Sequence, residues 1–160
     1  MTFIPVLYSR EGHSLFSIGL VVALYNVAGA LSGLVSGLLS DRFGYKPVFY
    51  VSYSLAIPFL YLLLYPSMGV YVASFLAGFF VMATIPLFVT MAQEIAPRGK
   101  SLVASLMLGL AYGTGGMMTP ITGRLADLFS IRTVLCGLAF FPILLLGLVY
   151  FLPEKKRSLG

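Results

Sequence analysis

The chain has 160 residues, 59% of them hydrophobic and 9% charged, with a mean hydropathy of +1.00. A soluble domain carries about 25% charged residues, so the polar side chains here are too few to cover a water-facing surface, and the class is integral membrane. A net charge of +5 does not point to nucleic acid, because the bases sit in short links and at the C-terminus, where they report membrane topology.

Residues 1–15 contain Pro5, Arg10 and Glu11 and lack the basic start and small-residue cleavage site of a signal peptide. Five apolar runs follow, at 16–39, 47–65, 69–91, 101–123 and 133–152. About 20 residues, at a rise of about 1.5 Å each, cross a hydrocarbon core about 30 Å thick. Lipid offers backbone groups no partner, so such runs must be helices or barrel strands, and the alternation of barrel strands is missing. The expected fold class is all-α, a polytopic membrane protein of five transmembrane helices. Pro66-Ser67-Met68 is a tight reversal between the second and third runs. Pro66, Pro97 and Pro153 lie at helix ends. Pro58, Pro86, Pro120 and Pro142 lie inside runs, where membrane helices tolerate proline and bend; Pro86 either hinges the third run or merely bends it.

Lys and Arg set the expected orientation. With residues 40–46 inside, Arg42, Lys46, Arg98, Lys100, Lys155, Lys156 and Arg157 are cytoplasmic, whereas Arg10, Arg124 and Arg132 are not. The N-terminus is then outside a cell membrane and the C-terminal tail inside. The first and fourth runs are richest in Gly, Ala and Ser. Gly29, Gly33 and Gly37 recur every fourth residue, as do Ser105, Gly109 and Gly113. Small faces let membrane helices approach closely. The first and fourth runs are therefore expected inside the bundle. The second and fifth face lipid, with Tyr50, Tyr61, Tyr65 and Tyr150 near the interfaces. Cys136 is the single cysteine and forms no intrachain disulfide.

The first two runs are joined by a short charged turn, Gly37-Leu38-Leu39-Ser40-Asp41-Arg42-Phe43-Gly44-Tyr45-Lys46-Pro47-Val48. The pattern returns 86 residues later in degraded form. Gly123, Asp127, Phe129, Arg132 and Val134 stand where Gly37, Asp41, Phe43, Lys46 and Val48 stood. Ser130 replaces Gly44 and Leu128 replaces Arg42. The first and second runs thus repeat as the fourth and fifth, three helices on. An odd offset reverses the copies in the membrane, giving an inverted-topology repeat. Upstream, Ile85-Pro86-Leu87-Phe88 matches Ile4-Pro5-Val6-Leu7, and Gly99-Lys100-Ser101-Leu102 matches Gly12-His13-Ser14-Leu15. The third run heads the second unit. Residues 1–15 are therefore expected to be the stub of a preceding transmembrane helix with its outer link, and 16–160 a five-helix bundle with a cytoplasmic tail.

Gly37-x-x-x-Asp41-Arg42-x-Gly44-x-Lys46 resembles the signature loop G-x-x-x-D-[RK]-x-G-x-[RK] of the major facilitator superfamily. The resemblance implies twelve helices in two six-helix halves, each built from inverted three-helix repeats. This chain would then be a C-terminal half lacking most of its first helix. The stretch from Gln93 to Gly99, followed by Gly109 to Gly116, resembles the fosmidomycin-resistance-like branch of exporters. Thr119-Pro120-Ile121-Thr122-Gly123 resembles an antiporter motif, with Thr119 in place of its glycine. The implied function is alternating-access export of a small organic solute. The implied partners are the lipid bilayer, the solute, and a missing N-terminal half or a partner chain. The alternative is a membrane interaction protein that pairs with another chain and transports nothing alone. The sequence offers no nucleophile–base pair and no metal cluster, so an enzyme is not expected.

The same resemblance implies a cytoplasmic gate made of Gly37, Asp41, Arg42, Gly44, Lys46, Glu94 and Arg98. Asp41 is expected just past the end of the first helix, whose dipole disfavours an acid. It needs donors, and Arg98 is a candidate; Arg42 or Lys46 can pair with Glu94. Gly44 suits a left-handed turn. These residues can equally do no more than orient and end a hairpin. Tyr25, Asn26, Thr84, Tyr112 and Thr114 are polar groups within runs and need partners. They either line a substrate cavity or bond neighbouring helices and their own backbones. No cofactor is expected. No carboxylate lies within a run, and proton coupling needs a buried ionisable group, so any proton or other coupling-ion site is expected outside this chain. His13 reads as a solvated link residue and the methionines as packing. Gly115-Gly116 lacks the Lys-Ser or Lys-Thr of a phosphate loop.

Overall fold

The computed structural model describes residues 1–65 and 69–151. Pro66-Ser67-Met68, Pro153 and the tail with Lys155, Lys156 and Arg157 lie outside the described residues. The described residues form helices α1 (Ile4–Arg10), α2 (Leu15–Phe43), α3 (Tyr45–Leu62), α4 (Val70–Met82), α5 (Thr84–Ile95), α6 (Lys100–Leu128), α7 (Ile131–Ala139) and α8 (Phe141–Val149), with a 3-10 turn at Pro97–Gly99.

The helix ends follow from local chemistry. Ser14 starts α2, its hydroxyl accepting the Ser17 N–H at 3.2 Å, which satisfies one of the donors a helix start leaves open. Between Gly37 and Gly44 the sequence holds no Gly or Pro, so α2 continues past residue 39 through Phe43. Asp41 and Arg42 therefore stand in its last turn rather than beyond its end. Gly44 alone separates α2 from α3; its φ is +87° and its N–H donates to the Ser40 carbonyl at 2.9 Å. The third run is not one continuous helix. It restarts at Ala83, three residues before Pro86, which cannot donate to the preceding turn. The fifth run likewise restarts at Phe140, two residues before Pro142. Pro58 and Pro120 stay inside the unbroken helices α3 and α6.

Among the described residues four segments are long and apolar enough to cross a membrane: Leu15–Phe43, Val70–Ile95, Pro97–Leu128 and Ile131–Val149. The second expected span, α3, is not among them: it has 18 residues but is diluted by Lys46 and by Tyr45, Tyr50, Tyr53 and Tyr61. The inverted repeat is visible in the helix directions. α2 begins, and α6 ends, at the end of the bundle where Arg10 meets Asp127 at 3.9 Å. α2 ends, and α6 begins, at the opposite end, where Tyr45 meets Glu94 and the Gln93 amide donates to the Lys100 carbonyl at 3.3 Å. The register holds at the turns. Ser130, the counterpart of Gly44, separates α6–Phe129 from α7 and has φ +155°, the one non-glycine with positive φ among the described residues.

α2 and α4 meet backbone against backbone: a Cβ added at Gly78 would collide with the Tyr25 carbonyl oxygen. Beside it, the Ser74 hydroxyl donates to the Val21 carbonyl at 2.6 Å. Gly29 faces Met82 and Gly33 faces Pro86, whereas the space beside Gly37 is open. The buried face of α2 is Val21, Tyr25, Ala28, Ser32, Ser36 and Ser40. Each of these serines bonds a carbonyl three residues back in its own helix, so it can be buried without an orphaned hydroxyl.

Two expectations about burial are corrected. α6 is peripheral: only Ala126 is buried, and Ser105, Gly109 and Gly113 are exposed. α3, expected against lipid, is central at one face. Tyr45, Val48, Phe49, Ser52, Tyr53 and Ala56 are buried at helical spacing, and Phe49 packs on Phe88 with ring centroids 4.4 Å apart. A small face packs only where a partner presents a matching surface. α4 presents Ser74 and Gly78 to α2; nothing among the described residues does so for the glycines of α6. The buried residues divide into two cores, one around Tyr8, Val21 and Leu63 and the other around Tyr45, Phe49 and Leu87.

Gly78→Ala should destabilise by about 2 kcal/mol, the usual scale of overpacking between fixed backbones, while Gly37→Ala should be nearly neutral. Ser130→Gly should instead stabilise by about 1 kcal/mol, by relieving an unfavourable backbone conformation. Thermal unfolding in detergent reads all three.

Candidate functional site

The charged turn sits where α2, α3, the end of α5 and the end of α8 converge. Asp41 and Arg42 are exposed, and the Arg42 guanidinium lies 5.4 Å from the centroid of the Phe43 ring. Lys46 Nζ donates to the Tyr150 carbonyl at 3.3 Å and stands 6.0 Å from that tyrosine's ring centroid. Glu94 Oε1 accepts a 2.7 Å hydrogen bond from the Tyr45 hydroxyl. Tyr45 was not singled out in the sequence, although it lies inside the motif. Its ring is buried, and burial, the hydrogen bond to Glu94 and the charges of Glu94 and Asp41 together push the phenol well above its ordinary value. It therefore stays a donor at neutral pH. Arg98 is exposed on the 3-10 turn and makes no ion pair among the described residues, so the expected Asp41–Arg98 contact is not formed. Pro97 opens that turn before α6 begins and places Arg98 outside both helices.

Beside the turn lies an open groove of about 340 Å³ between α2, α3 and the end of α4, lined by Val35, Phe43, Val48, Val51, Phe79 and Phe80 among others. Its only polar lining residues are Ser36 and Ser52. It offers an apolar surface and no ionisable group.

The five polar residues picked out within the runs do not converge. Tyr25 is buried against Gly78, and Thr84 is buried with its hydroxyl on the Val81 carbonyl at 2.8 Å. Asn26 is exposed and donates to Val22 of its own helix at 2.8 Å. Tyr112 is 70% exposed, and Thr114 donates to the Leu110 carbonyl at 2.6 Å. For Asn26, Thr84 and Thr114 the amide or hydroxyl finds a carbonyl one turn back in its own helix, which satisfies it within an apolar run. Asn26, Tyr112 and Thr114 are exposed on α2 and α6 and do not join Tyr25 and Thr84 in one cavity. No group of His, Cys, Asp and Glu among the described residues is arranged to hold a metal.

An all-helical bundle with apolar spans, two oppositely directed helix–turn–helix units and a charged turn in each defines a polytopic membrane protein of the inverted-repeat kind. A family model described as Major Facilitator Superfamily matches residues 1–160, and the chain belongs to that family. It is 30% identical over 153 residues to a fosmidomycin resistance protein of Escherichia coli (strain K12), an alignment covering 95% of this chain and 37% of that protein. It is 28% identical over 141 residues to an uncharacterized MFS-type transporter, YfnC, of Bacillus subtilis (strain 168), covering 86% of this chain and 34% of that one. The chain thus spans about a third of the length of these curated relatives. No solved structure matches it.

Tyr45→Phe removes a hydrogen bond to a carboxylate and should cost about 1.5 kcal/mol of stability. Because the folded-state pKa of Tyr45 is raised, its contribution is fully present below the ordinary phenol value of 10.0 and is lost as pH rises through the higher folded value. An alkaline unfolding series comparing Tyr45→Phe with the parent checks this: the parent should lose its advantage at high pH.

Proposed function

We propose that this chain is the C-terminal part of a longer secondary transporter that exports a small organic solute across a cell membrane by alternating access. The observation that carries the reading is the pair of related charged turns, 86 residues apart, at opposite ends of oppositely directed helices. Alternating access needs two mirror-related units that rock about a central site. Membership of a transporter family and the likeness to a protein named for fosmidomycin resistance support solute export.

In this reading the turn at Gly37–Lys46, with Glu94 and Arg98, gates the cytoplasmic face, and the N-terminus lies outside. The arrangement around Tyr45 supports the gate: a buried phenol bridges the start of α3 to the end of α5. The restart at Ala83, ahead of Pro86, supports a hinge in the third span. The exposed polar residues Asn26, Tyr112 and Thr114 face the solute and the N-terminal half, which would complete the cavity. A coupling proton or other ion would bind in that other half.

A second reading keeps the bundle and drops transport: the chain pairs with another membrane protein through α6. The exposed small-residue face of that helix favours it. Two measurements separate the readings. In cells carrying the longer protein, export should protect against a toxic solute, and Asp41→Asn should lower that protection by about fivefold, the upper range for an exposed charge contact. Unchanged protection with Asp41→Asn removes the gate. A defined hetero-complex on native sizing of the 160-residue chain, with no protection from any form, favours the second reading.

A further inference from the structure

The groove beside the charged turn is left open by the way three helices meet. α4 lies against α2 at Gly78 and stacks Phe80 on Phe59 of α3, with ring centroids 5.9 Å apart. It ends at Met82, and the chain bends at Ala83. From that level α2 and α3 run on to their turn at Gly44 with a space of about 340 Å³ between them. Val35, Leu39 and Phe43 form one wall, Pro47 and Val51 the other, and Phe80 closes the deep end. The wall residues are exposed, so the groove opens along the outside of the bundle. Its two serines add no unmet hydrogen-bonding group: among the described residues no buried side-chain polar atom lacks a partner. Water in such a space finds little to bond, whereas an apolar chain fits it. The wall from Val35 to Phe43 is about 12 Å long at about 1.5 Å per residue, close to the roughly 15 Å that one leaflet contributes to the hydrocarbon core.

A cation stands at the mouth. Arg42 is exposed, and its guanidinium lies 5.4 Å from the centroid of the Phe43 ring, which lines the groove. Lys46, on the same turn, is directed instead to the Tyr150 carbonyl. Asp41 stands about 200° round α2 from Phe43, on the side away from the groove wall. We propose that the groove holds one acyl chain of an anionic phospholipid, with the lipid phosphate on Arg42. A guanidinium offers a fork of donors that matches phosphate oxygens, and the apolar walls take the chain directly beneath it. The function proposed above enters only in the choice of leaflet: with the turn inside, the lipid comes from the cytoplasmic leaflet, which carries the anionic lipids.

The chain has no tryptophan, so a single introduced one reports on one place. Phe80→Trp puts it at the deep end of the groove, where a brominated acyl chain quenches its fluorescence by entering. Phe141→Trp, exposed on α8, samples the lipid outside. Each 160-residue variant is placed in phosphatidylcholine nanodiscs with increasing shares of brominated phosphatidylglycerol or brominated phosphatidylcholine. At Phe80→Trp the phosphatidylglycerol should bind about fivefold more tightly than the phosphatidylcholine, the scale of one basic side chain near an anionic headgroup. At Phe141→Trp the two should be near parity. Adding Arg42→Gln should abolish the preference at Phe80→Trp, and Arg42→Lys should keep most of it. Val51→Phe, which narrows the groove, should weaken quenching by either lipid. Thermal unfolding confirms that each variant is folded; Phe43→Trp, at the mouth, serves if Phe80→Trp is not. Absence of quenching at the groove tryptophan, an equal preference at both positions, or a preference that survives Arg42→Gln overturns the site. Loss of quenching when a tryptophan-free preceding part of the longer protein is co-expressed gives the groove to that protein segment and overturns it as well. The nanodiscs hold the same lipids in both leaflets and no solute, so this result and the export assay fail independently.

Discussion

The bundle depends on one close approach. At Gly78 the backbone of α4 lies against the backbone of α2 at Tyr25, closer than any side chain would permit. In lipid, apolar surface gains nothing by leaving its surroundings, so helices associate through dispersion contacts and hydrogen bonds that need short distances. The Ser74–Val21 hydrogen bond, at the same crossing, is available only because Gly78 lets the helices meet. α3 then packs on α4, and α8 on α3, so the two cores at either end are arranged around this contact.

The two charged turns show how one backbone plan serves two surfaces. Gly44 and Ser130 hold the same place between a long helix and the next, and both have positive φ. At the first, glycine adopts the conformation at little cost. At the second, serine does so against its preference, held there by α6 and α7 on either side. The side chains diverge more than the backbone. The first turn keeps Arg42 on Phe43 and bridges Tyr45 to Glu94; the second sends Asp127 and Arg132 to Arg10 and Glu11. Chain geometry is shared because helix direction demands it, whereas partners depend on what each face holds.

The candidate site was legible in part. The motif residues Gly37 to Lys46 could be picked out because charge is so rare in this chain, and Gly44 for its conformation. Tyr45 carries no signal of its own in the sequence, because only the fold brings Glu94, 49 positions away, to its hydroxyl. The polar residues within the spans were selected by type alone. Type does not say whether a hydroxyl reaches a solute or the carbonyl one turn back, and for Thr84 and Thr114 it is the carbonyl.

The helical class, four of the five spans and the reversed repeat were set by the sequence itself. An uncharged run of about 20 residues without the alternation of a barrel strand satisfies its backbone in lipid only as a helix, and an odd number of crossings inverts the second copy whatever the side chains do. Which faces are buried was decided by the tertiary structure. Gly29 and Gly33 on α2 and Gly109 and Gly113 on α6 read alike in sequence, yet one stripe meets Met82 and Pro86 while the other stands exposed. A small residue permits a close approach but does not supply the helix that makes it, and that helix is chosen only when the whole bundle assembles.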